Sequence, residues 1–186
     1  MGNLDDATIR TALAKLGERL VAARPVEVLL IGGAAGVLTG ELPPAWTTAD
    51  VDLISCHLPQ DREAVLAAAA EAGRELSMPT DWLNDWCGLY AWALPDDWKS
   101  RGVKIGQYGS LTVYAVGRLD LIATKFLAHR TRDLEHLQQL GINSDDLKFV
   151  RAHLDGLAER FPMGQFPEHA GKIEMARHYV DAWEVP

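Results

Sequence analysis

Cysteine is scarce. Cys56 and Cys87 are the only two in 186 residues, too few for the disulfide framework on which small secreted domains rely. Basic charge is also short, with 18 Lys and Arg against 26 Asp and Glu and a formal net charge of −8. A surface of that sign repels phosphate backbones on average. It excludes a histone-like coat on nucleic acid but not an enzyme that meets a nucleotide in one pocket. Long apolar runs are missing as well: stretches such as Ala64–Ala70 fall far short of the ~20 residues that a membrane helix needs. The opening Met1–Arg10 is polar with two aspartates, unlike a basic and then apolar export signal. We therefore expect a cytoplasmic protein with no membrane partner.

What is present is globular material. Hydrophobic residues make up 48% and charged residues 24%, which excludes wholesale disorder. The length suits one domain with a core, or one catalytic domain with a small helical appendage. Ile9, Leu13, Leu16, Leu20 and Val21 recur at helical spacing across 5–24 before Pro25 stops the run. Val26–Ile31 is a short apolar run ending at Gly32-Gly33, which predicts a buried strand into a tight turn. A short helix over Ala34–Thr39 closes at Gly40, a loop covers Glu41–Ala49, and Asp50–Ser55 predicts a second strand. Gln60–Leu76 is Ala-rich and helical, and Thr80 can cap a short helix through Cys87. Leu89–Leu94 and Leu111–Val116 alternate as strands, separated by a turn-rich stretch with Pro95, Gly102, Gly106 and Gly109. After Gly117 the pattern is helical, with breaks near Gly141–Asn143 and Phe161–Phe166. The expected fold is α+β, a small mixed sheet flanked by helices with a helical C-terminal part. We expect one domain over 1–140 and a helical extension over 141–186.

The chemistry concentrates in Leu30-Ile31-Gly32-Gly33-Ala34-Ala35 and the later Asp50-Val51-Asp52-Leu53. On a strand, Asp50 and Asp52 share one face while Val51 and Leu53 turn to the core. Two carboxylates side by side repel unless a cation joins them, and Mg²⁺ takes few carboxylates together with water and phosphate oxygens. A glycine turn opening a helix offers backbone N–H groups and a positive helix end to the phosphates of a nucleotide. Together these parts specify phosphoryl-group chemistry. The run Gly32-Gly33-Ala34-Ala35-Gly36 lacks the G-x-G-x-x-G spacing of dinucleotide folds, and the chain has too few parallel βαβ units for one.

Gly32-Gly33, Thr48, Asp50 and Asp52 resemble the nucleotidyltransferase superfamily of the DNA polymerase β type. The likeness is to its small bacterial branch of minimal nucleotidyltransferases and AbiEii-like toxins. It extends to Trp82-Leu83-Asn84-Asp85 and to a helix carrying Lys125, Arg130, Arg132 and Asp133, and so covers roughly Val26–Leu137. The resemblance implies an enzyme that moves a nucleoside monophosphate from an NTP to a hydroxyl of a protein, RNA or small molecule. It also implies a toxin–antitoxin setting with a toxin or antitoxin as partner. By position, Asp50 and Asp52 would hold Mg²⁺, or Mn²⁺ in its place. Gly32 and Gly33 would contact the triphosphate, with Thr48 and Arg132 as further nucleotide contacts. Lys125 and Asp133 would complete the site as charge stabiliser and polar partner. The pattern departs from its relatives at Gly33, where Ser is common, and at Trp46, where a basic residue is common. It also lacks a third carboxylate within Leu89–Leu94 or Leu111–Val116, which Asp96, Asp97 and Asp120 only flank. A catalytically silent binding module is therefore the alternative reading, and a purely structural helical adaptor a third.

If one helix runs on past Gly117, Arg118, Lys125, His129 and Arg132 form one stripe. That stripe is either a phosphate-facing wall or a solvated face paired with Asp120, Asp133 and Glu135. Bulk acidity makes a protein or small molecule a better acceptor than RNA. Trp82 and Trp86 read as core or pocket wall, and adjacent Cys56 and His57 make a poor metal pair.

Overall fold

The computed structural model of the chain describes residues 4–56, 61–95 and 97–185. His57, Gln60 and Asp96, weighed above, lie outside the described residues. The chain divides into two compact units, Met1–Trp92 with Trp98–Gly117, and Ala93–Asp97 with Arg118–Pro186.

Among the described residues the first unit is a mixed five-stranded sheet with helices, its strands ordered β3 (Leu83–Asn84), β2 (Val51–Cys56), β1 (Val26–Ile31), β5 (Leu111–Ala115) and β4 (Val103–Tyr108). Helix α1 (Asp6–Arg19) begins where Asp5 accepts the Thr8 N–H at 2.8 Å. Its buried residues Ile9, Leu13 and Leu16 follow the spacing of one helix face. The helix ends earlier than expected: Leu20 is extended, and Val21 is 94% exposed. Arg10 ties α1 to its surroundings, donating to the Leu38 and Ile105 carbonyls at 3.1 and 3.2 Å.

Strand β1 (Val26–Ile31) runs into helix α2 (Gly32–Thr39), which closes at left-handed Gly40. Strand β2 (Val51–Cys56) returns antiparallel to β1, with Leu30 opposite Leu53 and Ile31 opposite Asp52. Helix α3 (Asp61–Glu75) packs on α1. Strand β4 (Val103–Tyr108) and strand β5 (Leu111–Ala115) form a hairpin through Gly109, whose φ is 61°. β5 pairs parallel with β1.

Three secondary-structure expectations fail between Pro79 and Tyr108. The segment 80–87 is not a helix: Leu83–Asn84 forms strand β3, parallel to β2. The Val51 N–H bonds the Trp82 carbonyl at 2.7 Å, and this edge pairing outweighs the cap signal of Thr80. The expected strand 89–94 does not form: residues 89–93 belong to a 3₁₀ helix, Trp86–Ala93. The turn-rich stretch instead holds the short helix α4 (Trp98–Arg101) and β4; Gly106 sits at a register shift and Gly109 in a hairpin turn, where they do not interrupt pairing. Trp82 is buried, its indole N–H bonded to the Ala69 carbonyl at 2.8 Å, whereas Trp86 is 68% exposed and not core.

The second unit is helical: α5 (Arg118–Ala128), α6 (Thr131–Gln139), α7 (Ser144–Arg160) and α8 (Pro167–Asp181). Helix α5 packs on the other three, and α7 on α8. The breaks near 141–143 and 161–166 are present, but a further one falls at His129, whose φ of 45° is left-handed. The basic stripe therefore does not form. Arg118 reaches Asp146 at 2.9 Å and the Leu140 carbonyl at 2.7 Å, and Lys125 is buried.

Helix α1 approaches β4 at Gly17, where an added Cβ would stand 2.4 Å from the Tyr108 carbonyl oxygen and 2.5 Å from its Cβ. Helix propensity alone favours Gly17→Ala by about 1 kcal/mol. The contact with backbone predicts the opposite sign, a loss of about 1–3 kcal/mol, to be read from the urea unfolding midpoint.

Candidate active site

The glycine pair is the first turn of α2, not a loop before it. The first N–H groups of a helix have no carbonyl one turn earlier, and they form its positive end. Gly32 has a φ of 75°, a left-handed conformation that favours glycine. It also admits a close neighbour: a Cβ on residue 32 would lie 2.4 Å from Asp52 Oδ2. The Asp52 carboxylate thus fills the space that any larger residue would need. Gly33 is buried.

Val51 and Leu53 are buried, while Asp50 and Asp52 are half-buried, so the two acids lie on the face away from the core. Asp50 stands one residue before β2. On the neighbouring strand Asn84 is opposite Asp52, and its Nδ2 donates to Asp50 Oδ2 at 3.1 Å. Residues in register on adjacent strands share a face, so Asp50, Asp52 and Asn84 form one polar group beside the start of α2. Asn84 accepts the Trp86 backbone N–H at 3.1 Å through Oδ1. Among the described residues no group of three or more His, Cys, Asp or Glu side chains is placed to hold a metal ion. The acid pair suits a cation that brings water and phosphate oxygens of its own. The cradle over Gly32 leaves room for the carboxylate it would require.

Thr48 is buried, and its backbone pairs with Leu4, donating at 2.9 Å and accepting at 2.7 Å. In the sequence Asn84 stands out only as part of Trp82-Leu83-Asn84-Asp85. A two-residue strand has no periodicity by which its pairing to Asp50 could be read.

The remaining expected residues belong to the second unit. Lys125 on α5 donates to Asp133 Oδ1 at 3.1 Å and to His136 Nδ1, and all three side chains are buried. Asp133 Oδ2 also accepts from the Arg130 Nε at 2.8 Å and from the Arg130 backbone N–H at 3.3 Å, which closes the turn between α5 and α6. Arg132 is exposed on α6. Burial acts to raise the Asp133 pKa, but the Lys125 ammonium and Arg130 outweigh it and hold the carboxyl below its usual range. Burial first, and then the Lys125 charge, push the His136 imidazole down to about 4. It is neutral at pH 7, so its Nδ1 accepts from the ammonium.

A family model described as a nucleotidyltransferase of unknown function (DUF6036) matches residues 9–158. No curated protein and no solved structure matches the chain.

The neutral His136 has a consequence for acid stability. Its folded pKa of about 4 lies below the ordinary histidine value of 6.5. The stability it contributes is full above about pH 6.5 and is lost as pH falls towards 4, roughly 3 kcal/mol in all. Urea midpoints between pH 7 and 4.5 should fall more steeply for wild type than for His136→Asn, which cannot titrate there. Equal slopes would contradict the assignment.

Proposed function

The chain belongs to this family of nucleotidyltransferases of unknown function, and from that premise we propose that it moves a nucleoside monophosphate from an NTP to an acceptor hydroxyl, dependent on Mg²⁺. One observation carries the reading: the Asp52 carboxylate lies against Gly32 at the positive start of α2, on the same face as Asp50. Phosphate binding and cation binding are thereby offered at adjacent points of one unit.

In the proposed reaction Asp50 and Asp52 hold the cation, with Mn²⁺ as a substitute for Mg²⁺. Bound there, the metal would neutralise charge on the triphosphate and on the attacking oxygen. The start of α2, at Gly32 and Gly33, binds the phosphates that leave as pyrophosphate through its N–H groups and its dipole. The acceptor oxygen forms a bond to the α-phosphorus, the bond from that phosphorus to the pyrophosphate oxygen breaks, and the hydroxyl proton passes to solvent. The chain contributes position and electrostatics, the main terms in phosphoryl-group transfer. A protein or small-molecule acceptor fits the net charge of −8 better than RNA does. The likeness to AbiEii-like toxins extends the proposal to a toxin–antitoxin setting.

A second reading, a nucleotide-binding module without turnover, is favoured by the Asn84 amide, which engages Asp50 where a further acid would strengthen metal binding. Incubation with labelled NTPs, Mg²⁺ and cell extract separates the two. Wild type should transfer label, and Asp50→Asn and Asp52→Asn should each lower transfer at least about a hundredfold. Equal labelling by wild type and both variants would end the catalytic proposal. Mg²⁺–NTP binding by calorimetry with no label transferred would favour the silent module.

A further inference from the structure

The acid face carries a third polar side chain whose chemistry differs from its neighbours. Asn84 is opposite Asp52 in the β2–β3 register, bonds Asp50, and is only 4% exposed. Its amide orientation is fixed by its partners. The Trp86 backbone N–H can only donate, so it must meet the carbonyl oxygen Oδ1. That leaves the NH₂ group facing Asp50, as the 3.1 Å contact has it. A buried amide cannot exchange these bonds for water without losing them.

We propose that Asn84 is a neutral positioning residue that limits the acid face to a single divalent cation. The inference rests on the reading of Asp50 and Asp52 as cation ligands. Two arguments support it. The Asn84 N–H takes one lone-pair direction of the Asp50 carboxylate, which restrains that side chain and withholds the oxygen from a bridging role. Asn84 also turns no oxygen towards the pair, because Oδ1 is bound to the Trp86 N–H. Two cations ~4 Å apart need bridging oxygens and enough negative charge to offset their repulsion. A pair of carboxylates, one of them partly engaged, supplies neither. A carboxylate at residue 84 would supply both, at the same place on the sheet.

The test counts Mn²⁺ ions on the full chain without nucleotide, using the spectroscopic signal of free Mn²⁺ and counting only ions that Asp52→Asn abolishes. Wild type should bind one. Asn84→Asp should bind two, with the first held at least about tenfold more tightly. Without metal, Asn84→Asp should unfold at lower urea because three carboxylates then crowd one face, and Mn²⁺ should restore the midpoint. The wild-type count keeps the test decisive if Asn84→Asp fails to fold. Two ions on wild type would overturn the proposal, as would an Asn84→Asp protein that binds as wild type does. No Mn²⁺ on wild type would instead overturn the reading of Asp50 and Asp52 as ligands, and this proposal with it.

Discussion

The Asp52 carboxylate occupies the volume that a side chain on residue 32 would need, 2.4 Å from the place of its Cβ, and the geometry of the site follows from that contact. It requires glycine at the β1–α2 junction twice over, once for the space and once for a φ of 75°. It brings a negative group to the positive end of α2. It also sets β2 against β1 with Asp52 opposite Ile31, so the acid face and the helix start are held by the same strand pair. The apolar residues on the other face, Val51 and Leu53 among them, keep that pair in register, because a slip of one residue would carry the acids into the core.

Parts of this were legible in the residues. Val26–Ile31 reads as a buried strand because five of its six positions are apolar, Glu27 being the exception, and the run ends at two glycines; strand pairing bears that out. The shared face of Asp50 and Asp52 follows from the period of a strand, since Val51 and Leu53 are the buried partners. Asn84 was out of reach for a physical reason. Its role depends on a two-residue strand pairing with β2, a long-range contact that leaves no local pattern. The same long-range pairing drew Leu83–Asn84 out of the helix that the Thr80 cap suggested.

The C-terminal part is helical as expected, but its basic stripe fails for a different reason. Spacing alone placed Arg118, Lys125, His129 and Arg132 on one stripe, but the left-handed His129 ends α5 and turns α6 in a new direction. The charges expected to form a phosphate-facing wall or a solvated face have internal partners instead. Lys125 is held by Asp133 and His136, and Arg118 by Asp146 and the Leu140 carbonyl. A buried ammonium is tolerated only with such partners, and their spacing along α6 becomes meaningful once the turn at His129 is known.

The claim on which the account turns is that the face formed by Asp50, Asp52 and the start of α2 is one site for a cation and a triphosphate. The most direct measurement is a crystal structure with Mn²⁺ and a non-hydrolysable NTP, with the metal located by its anomalous signal. The account predicts an anomalous peak coordinated by the Asp50 and Asp52 carboxylates and the phosphates against Gly32 and Gly33. A nucleotide bound elsewhere with its Mn²⁺, while the acid pair holds no ion, would contradict it.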